Sequence, residues 1–322
     1  MKTISRLAIA AMALGLAWPA QADALKLAHS TWVGYGPFYV ARDKGFFQEE
    51  GVDIDLVIME DTPAKMGALQ AGQIDLVAST ADEFPIYMPP GKILRYILAV
   101  DNSKGGDGII ALKDIKSVND LKGRKVAFET GSVSQFFFNA VLKEAGLSES
   151  DVEVVNMTAT DSGVAFVAGQ VDAAVTWEPA LSQGANSANG HLLLSSAEKP
   201  GLITDVVAVT PETAAAHADE LKAFVRAWYR ALDFIKSNPE EANKIMAEGV
   251  GGWLADPQVF ADTLSGIQYL DKDANAAFFG SAGEPGQLTK TLGYAIDIWS
   301  EKGRIQTEMK PEDLIDYSFI GG

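Results

Sequence analysis

Carboxylates dominate the positions in this chain that could do chemistry. In the loops that follow its short apolar runs stand Glu60, Asp61, Asp82, Glu83, Asp101, Asp107, Glu129, Asp161 and Glu178. Against these nine acids the same loops hold only Lys65 and Lys104, and no arginine. Aromatic residues share the loops, with Trp32 and Tyr35 in the first and Trp177 in the last. A free oxyanion suits such a lining poorly, because an unpaired buried charge is strongly unfavourable. A small organic cation suits it well. Carboxylates make charge-assisted hydrogen bonds to it, and each aromatic face adds about 0.5–2 kcal/mol by cation–π attraction. The expected guest is therefore a guanidinium, an amidine or an amine.

Competing roles narrow the list. Asp61, Asp82 and Asp161 each precede a helical stretch, where a carboxylate caps free backbone N–H groups. Glu129 and Asp107 have Arg124 and Lys125 as possible partners. Asp82 and Asp101, with Asp61, are the expected acidic contacts from one side, and Glu178 in Trp177-Glu178-Pro179 from the other. Trp32 and Tyr35 flank Gly34 and Gly36, glycines that let backbone approach a ligand; plain core packing is their alternative role. Ser132 and Thr130 would instead suit an anion held at a helix N-terminus. The expected ligand-binding set is Trp32, Tyr35, Asp61, Asp82, Asp101, Ser132, Trp177 and Glu178.

No catalytic machinery is expected beside it. The chain has no cysteine, and its three histidines, His29, His191 and His217, are far apart in sequence. That leaves no thiolate nucleophile and no argued metal site. A glycine-rich phosphate loop with its lysine is also missing, so neither cofactor nor enzyme is expected. Phe224, Trp228 and Phe234 follow helical spacing and read as core.

Positioning these residues requires alternating strands and helices. Apolar runs at Leu25–Ala28, Ile54–Met59, Leu76–Ser79, Ile97–Val100, Lys125–Glu129, Glu153–Met157 and Ala173–Trp177 predict strands. Amphipathic stretches at Phe38–Glu50, Pro63–Ala71, Ser134–Ala145 and Asp161–Ala168 predict the helices between them, a βα pattern with parallel sheets. Helices near Glu212–Lys236, Pro239–Glu248, Pro257–Leu270 and Leu288–Lys302 fill the tail. Two β-branched runs, Gly108–Leu112 and Asp205–Thr210, bracket a block of βα units and read as crossings between two lobes. The expected division is residues 23–108 with 211–322 in one lobe and 109–210 in the other.

Residues 1–22 read as an export signal. Lys2 and Arg6 precede an apolar run from Leu7 to Ala17, and Ala20-Gln21-Ala22 offers small residues for cleavage. The run is shorter than the ~20 residues a membrane span needs. Without Lys2 and Arg6 the balance is 24 basic to 43 acidic residues, a net charge of −19, which disfavours nucleic acid and anionic lipid as partners. About 300 residues suit two lobes of ordinary size.

A family resemblance gathers these features. It is carried by Ser30-Thr31-Trp32-Val33-Gly34-Tyr35-Gly36-Pro37-Phe38-Tyr39 with Asp43-Lys44-Gly45-Phe46-Phe47. It continues in the paired signals Ala68-Leu69-Gln70-Ala71-Gly72-Gln73-Ile74-Asp75 and Ala168-Gly169-Gln170-Val171-Asp172, and in Ile115-Lys116-Ser117-Val118-Asn119-Asp120-Leu121-Lys122-Gly123. From Leu25 to about Lys302 the chain resembles the nitrate/sulfonate/taurine-type (NitT/TauT) substrate-binding proteins of ABC importers. The resemblance implies an α/β periplasmic-binding-protein fold, type II-like, with two Rossmann-like lobes and a two-strand hinge closing on a ligand. It implies permease and ATPase subunits as partners of a monomeric receptor, and leaves taurine, an alkanesulfonate or nitrate as alternative ligands. Asp101-Asn102-Ser103-Lys104-Gly105-Gly106-Asp107-Gly108 looks like a segment of members linked to urea and guanidine metabolism. The fold also hosts a thiamin-pyrimidine enzyme whose cysteine-rich motif has no counterpart here. Lacking a lipobox cysteine, the exported chain is expected free in a periplasm, with no membrane anchor. Intact-mass measurement of the exported protein is expected to place its first residue at Asp23; retention of residues 1–22 would overturn the signal reading.

Overall fold

The computed structural model describes residues 24–320; the expected export signal lies outside them. Eleven strands form two sheets. They are β1 (Leu25–His29), β2 (Ile54–Ile58), β3 (Leu76–Thr80), β4 (Arg95–Ser103), β5 (Asp107–Leu112), β6 (Lys125–Phe128), β7 (Glu153–Asn156), β8 (Ala173–Trp177), β9 (Gly190–Ser195), β10 (Thr204–Val209) and β11 (Ile267–Tyr269). The helices up to the return crossing are α1 (Gly36–Asp43), α2 (Phe46–Glu50), α3 (Thr62–Gln70), α4 (Phe84–Tyr87), α5 (Val133–Glu144), α6 (Ala159–Val167) and α7 (Ala180–Ala185). After it come α8 (Pro211–Ala216), α9 (Ala218–Ser237), α10 (Pro239–Val250), α11 (Pro257–Thr263), α12 (Lys272–Phe279) and α13 (Gln287–Glu301).

The first sheet runs β11-β4-β10-β3-β1-β2 and the second β7-β6-β8-β5-β9. In the first, β1 pairs parallel with β2 and β3, and β10 enters antiparallel between β3 and β4. In the second, β6 pairs parallel with β7 and β8, and β5 is antiparallel to β8 and β9. Strands buried on both faces read as continuous apolar runs, and β3 and β10 have every residue buried. Each sheet is covered on two sides. Leu27, Leu76 and Val207 pack toward α1 and α9, while Ala28, Val77 and Val206 pack toward α3 and the tail. Ile109 and Ile110 divide the second sheet's two cores in the same way.

The chain passes between sheets twice, at 104–106 and at 196–203. The two passages are tied together: Ser103 and Ser196 share a hydroxyl bond of 2.7 Å, Gly105 N donates to Ser196 Oγ, and Ser103 N donates to Ile203 O. The return differs from the expected boundary at 210. Residues 204–209 belong to the first sheet, so the crossing precedes the run rather than coinciding with it. An all-apolar strand fits the middle of either sheet, so composition could not assign it. The helix expected over Phe38–Glu50 divides into α1 and α2 at Gly45, whose φ of 74° ends a right-handed helix. The helix expected over Pro257–Leu270 ends at Thr263 and its last residues form β11, and β9, α4, α7 and α12 were not legible as elements.

Helix α9 supplies the strongest apolar anchor. Trp228 is fully buried, its ring 4.9 Å from Phe38 and its Nε1 donating to Leu270 O. Trp228→Ala should destabilise the fold by about 3–5 kcal/mol, measured by urea unfolding; a loss under about 1 kcal/mol would show that this contact is not structural.

Candidate functional site

A small cavity lies where the loops at the carboxyl ends of the parallel strands of both sheets meet, the usual location of ligands in open α/β folds. It is lined by Ser30, Trp32, Tyr35, Thr62, Lys65, Ser79, Thr80, Glu83, Asp107, Val133, Trp177 and Asp205. Ser30, Trp32 and Tyr35 follow β1, Thr62 and Lys65 open α3, and Ser79 to Glu83 end β3. Asp107 begins β5, opposite Trp177 at the end of β8. Asp205 arrives because β10 runs antiparallel: its first residues lie beside the last of β3, with Asp205 opposite Thr80. The cavity volume is about 20 Å³, above the roughly 10–15 Å³ that one water needs. A larger groove of about 390 Å³, reached by Met66, Tyr87 and Glu212, contains none of the buried acids.

Charge is concentrated here. Asp82, Glu83, Asp101, Asp107, Glu129 and Asp205 are all buried, and Lys65 is the one buried lysine or arginine among the described residues. Asp101 and Asp205 stand directly opposite each other on β4 and β10, an arrangement that is unfavourable for like charges. Polar partners absorb part of the charge. Tyr35 Oη donates to Asp205, Ser79 Oγ donates to Glu83, and Trp32 Nε1 donates to Asp101 Oδ2 at 3.2 Å. Two helix N-termini also contribute: Val133 N donates to Glu83 Oε1 at 2.8 Å, and Thr62 N to Glu129 Oε1 at 3.1 Å. One oxygen each of Asp101, Asp107 and Glu129, and both of Asp82, complete no hydrogen bond, although the Thr80 hydroxyl stands near Asp82. An acidic pocket with unused acceptors and aromatic walls can hold a cation.

The family whose model is described as NMT1/THI5 like matches residues 32–242. The chain belongs to the NMT1/THI5-like family. Among relatives, a binding protein of Brucella abortus (strain 2308) is 26% identical over 303 residues, 86% of each chain. The taurine-binding periplasmic protein of Escherichia coli (strain K12) is 25% identical over 238 residues, 72% of each chain. The crystal structure of the periplasmic aliphatic sulphonate binding protein SsuA from Escherichia coli superposes with a TM-score of 0.73 at 22% identity, covering 93% of this chain and 99% of that one. The periplasmic-binding-protein fold expected from the sequence is therefore the fold of this NMT1/THI5-like chain, and the resemblance to sulfonate- and taurine-type binding proteins holds.

Within that fold the expected site residues separate. Trp32, Tyr35 and Trp177 line the cavity. Asp82 and Asp101 are buried and lie outside the cavity lining. Asp61 is an exposed N-cap of α3, accepting from Ala64 N at 2.7 Å. Ser132 caps α5 through Ser134 N and donates to Glu129 O. Glu178 turns onto the start of α7, accepting from Ser182 N at 3.1 Å and Ser182 Oγ at 2.6 Å. Asp107 and Glu129 do not pair with Arg124 or Lys125, whose partners are Asp114, Asp172 and Glu153. Asp205, Glu83, Thr80 and Lys65 also line the cavity, although none stood in the expected set. Asp205 was hidden in an apolar run, and only its antiparallel insertion places it here. Gly34 serves the wall rather than a guest: a Cβ there would lie 1.8 Å from Asp101 Oδ2 and 2.5 Å from Trp32 Nε1. Gly36 likewise leaves room for Met246 and Phe260. His29 is structural, held between Ser30 O and Tyr39 Oη.

Burial governs titration. It pushes Asp205 up to about 8 against the Tyr35 hydrogen bond, and Asp107 up to about 7 against the Ser103 hydroxyl. Glu129 rises to about 7 through burial and then the Glu83 charge. Burial also raises Asp82 well above the usual range, with Glu83 adding, and Asp101 likewise with Asp205. Between about pH 4 and 8 the folded ligand-free protein thus binds more protons than the unfolded chain, and its stability falls as pH rises through that window. A bound cation favours the ionised acids. Cation binding at pH 7 should therefore release protons, and affinity should increase from pH 6 to 8. Calorimetry in buffers of different ionisation heat measures this; proton uptake, or no proton exchange, would overturn the titration scheme.

Proposed function

We propose that this chain is a periplasmic solute receptor of an ABC importer, and that its solute is a small organic cation of the guanidinium, amidinium or amine type. The receptor half rests on family, fold and relatives. The ligand half rests on one observation: the cavity wall carries Glu83, Asp107 and Asp205 against Lys65 alone, with Asp82 and Asp101 immediately behind. A planar cation donates N–H groups in several directions, matching acceptors on strands from both sheets, while Trp32, Tyr35 and Trp177 supply faces for cation–π contact. Contacts on both sheets provide the difference in affinity between closed and open forms that drives closure. The closed receptor then docks on a permease.

A zwitterion such as taurine is the second reading, favoured by Lys65, whose ammonium could meet an anionic end while the acids hold the amine. The best very small ligands gain about 1.5 kcal/mol per non-hydrogen atom. A guanidinium of about four such atoms is thus bounded near ~6 kcal/mol, a Kd of tens of micromolar. Titration calorimetry should show guanidinium binding in that range, taurine more weakly, and nitrate and methanesulfonate not at all. Asp205→Asn should lower guanidinium affinity at least tenfold while raising the melting temperature of the ligand-free protein above about pH 8, where the carboxylate would otherwise be ionised beside Asp101. Heat with nitrate or methanesulfonate but none with guanidinium rejects the cation.

A further inference from the structure

Two acids of the site do more than add charge. Glu83 follows β3 of the first sheet, yet its Oε1 accepts from Val133 N, the first residue of α5 on the second sheet, at 2.8 Å. Glu129 follows β6 of the second sheet, yet its Oε1 accepts from Thr62 N, the first residue of α3 on the first sheet, at 3.1 Å. The bonds are reciprocal. Each lobe sends one buried carboxylate across the cleft to the other's helix N-terminus. Tyr87 Oη, donating to Gly131 O at 2.7 Å, crosses the same gap, and Phe136 packs there against Trp299. First-turn N–H groups backed by a helix dipole are where a free anion would otherwise bind.

We propose that Glu83 and Glu129 are specificity residues that occupy these two helix N-termini from within, latching the lobes together and refusing free oxyanions. The proposal rests on the receptor reading above and adds how the receptor discriminates. An oxyanion entering the cleft must displace a carboxylate from its N–H and leave that charge buried without a partner. A cation displaces neither carboxylate and gains from Glu83 at the cavity wall. Rejection of anions is therefore built in as an occupied seat, separately from attraction of cations by Asp107 and Asp205. The remaining Oε2 of Glu129 is buried and completes no hydrogen bond, so Thr62 N is the partner that holds this carboxylate.

The test is methanesulfonate titrated into wild type, E83A, E129A and the double variant. Wild type should give no heat, each single variant should bind with at least tenfold higher affinity than the wild-type detection limit, and the double variant tighter still. Methanesulfonate binding to wild type as tight as to the variants, or no gain in any folded variant, overturns the proposal. Should the variants not fold, amide exchange of wild type decides. The Thr62 and Val133 amides, normally open in a first turn, should exchange at least tenfold slower than the first-turn amide of Gln287, at a helix start with no side-chain cap; equal rates overturn the latch. The readouts keep the two readings apart. Wild type binding neither guanidinium nor methanesulfonate ends the cation reading and leaves exclusion standing, whereas wild type binding both ends exclusion and leaves the receptor standing.

Discussion

Among the described residues, six buried carboxylates facing one buried ammonium form the constraint around which the rest of this molecule is arranged. Such a cluster is unfavourable on its own, because burial disfavours each charge and the neighbours repel. The fold tolerates it in three ways. Tyr35, Trp32 and Ser79 donate hydrogen bonds to Asp205, Asp101 and Glu83. Helix N-termini donate to Glu83 and Glu129. Asp82, and Asp101 despite its Trp32 bond, keep their protons well above the ordinary carboxylate range through burial. What polar partners leave over are buried acceptors without a hydrogen bond, on Asp82, Asp101, Asp107 and Glu129. Strain of this kind is common where function is placed on a stable scaffold.

The scaffold must therefore be stiff around the acids. Both sheets are covered on two faces, and Phe38, Phe224 and Trp228 tie α1 to α9 behind the loop that carries Trp32 and Tyr35. The wall is shaped at the backbone as well. Gly106, between the two sheets, leaves space for the Trp32 ring, since a Cβ there would lie 2.6 Å from it. The serine pair Ser103 and Ser196 binds the two crossings at the same place. The passage between the sheets and one wall of the cavity are thus a single structure.

Relatives named as sulfonate- and taurine-binding proteins share this fold, and the cavity of this chain is lined by acids. A fold of this kind presents helix N-termini at the mouth of its cleft, a ready environment for anions. In this chain the first N–H of α3 and of α5 already faces a glutamate. Sharing a fold therefore does not carry a ligand from one member to another; the side chains on the loops decide it.

Much of the architecture was legible from residue order. Apolar runs of strand length alternating with amphipathic stretches gave nearly every strand of both sheets, because a strand buried on two faces has no freedom to be polar. The acidic bias of the loops, the aromatic trio Trp32, Tyr35 and Trp177, and the lack of cysteine chemistry also follow from the residues alone. Which acids face the cavity does not. Asp61 and Glu178 lie in the right loops but turn onto neighbouring helix starts, Asp82 and Asp101 stop one layer behind, and Asp205 enters from a strand whose sheet membership its apolar sequence leaves open. Direction of a side chain depends on strand register and helix capping, which are set by packing across the whole molecule. The sequence by itself determined that this would be a two-sheet α/β protein with a strongly acidic cleft. Only the tertiary structure decided which carboxylates are paired within the protein and which remain for a guest, because a hydrogen bond between residues more than fifty positions apart is a property of the folded arrangement.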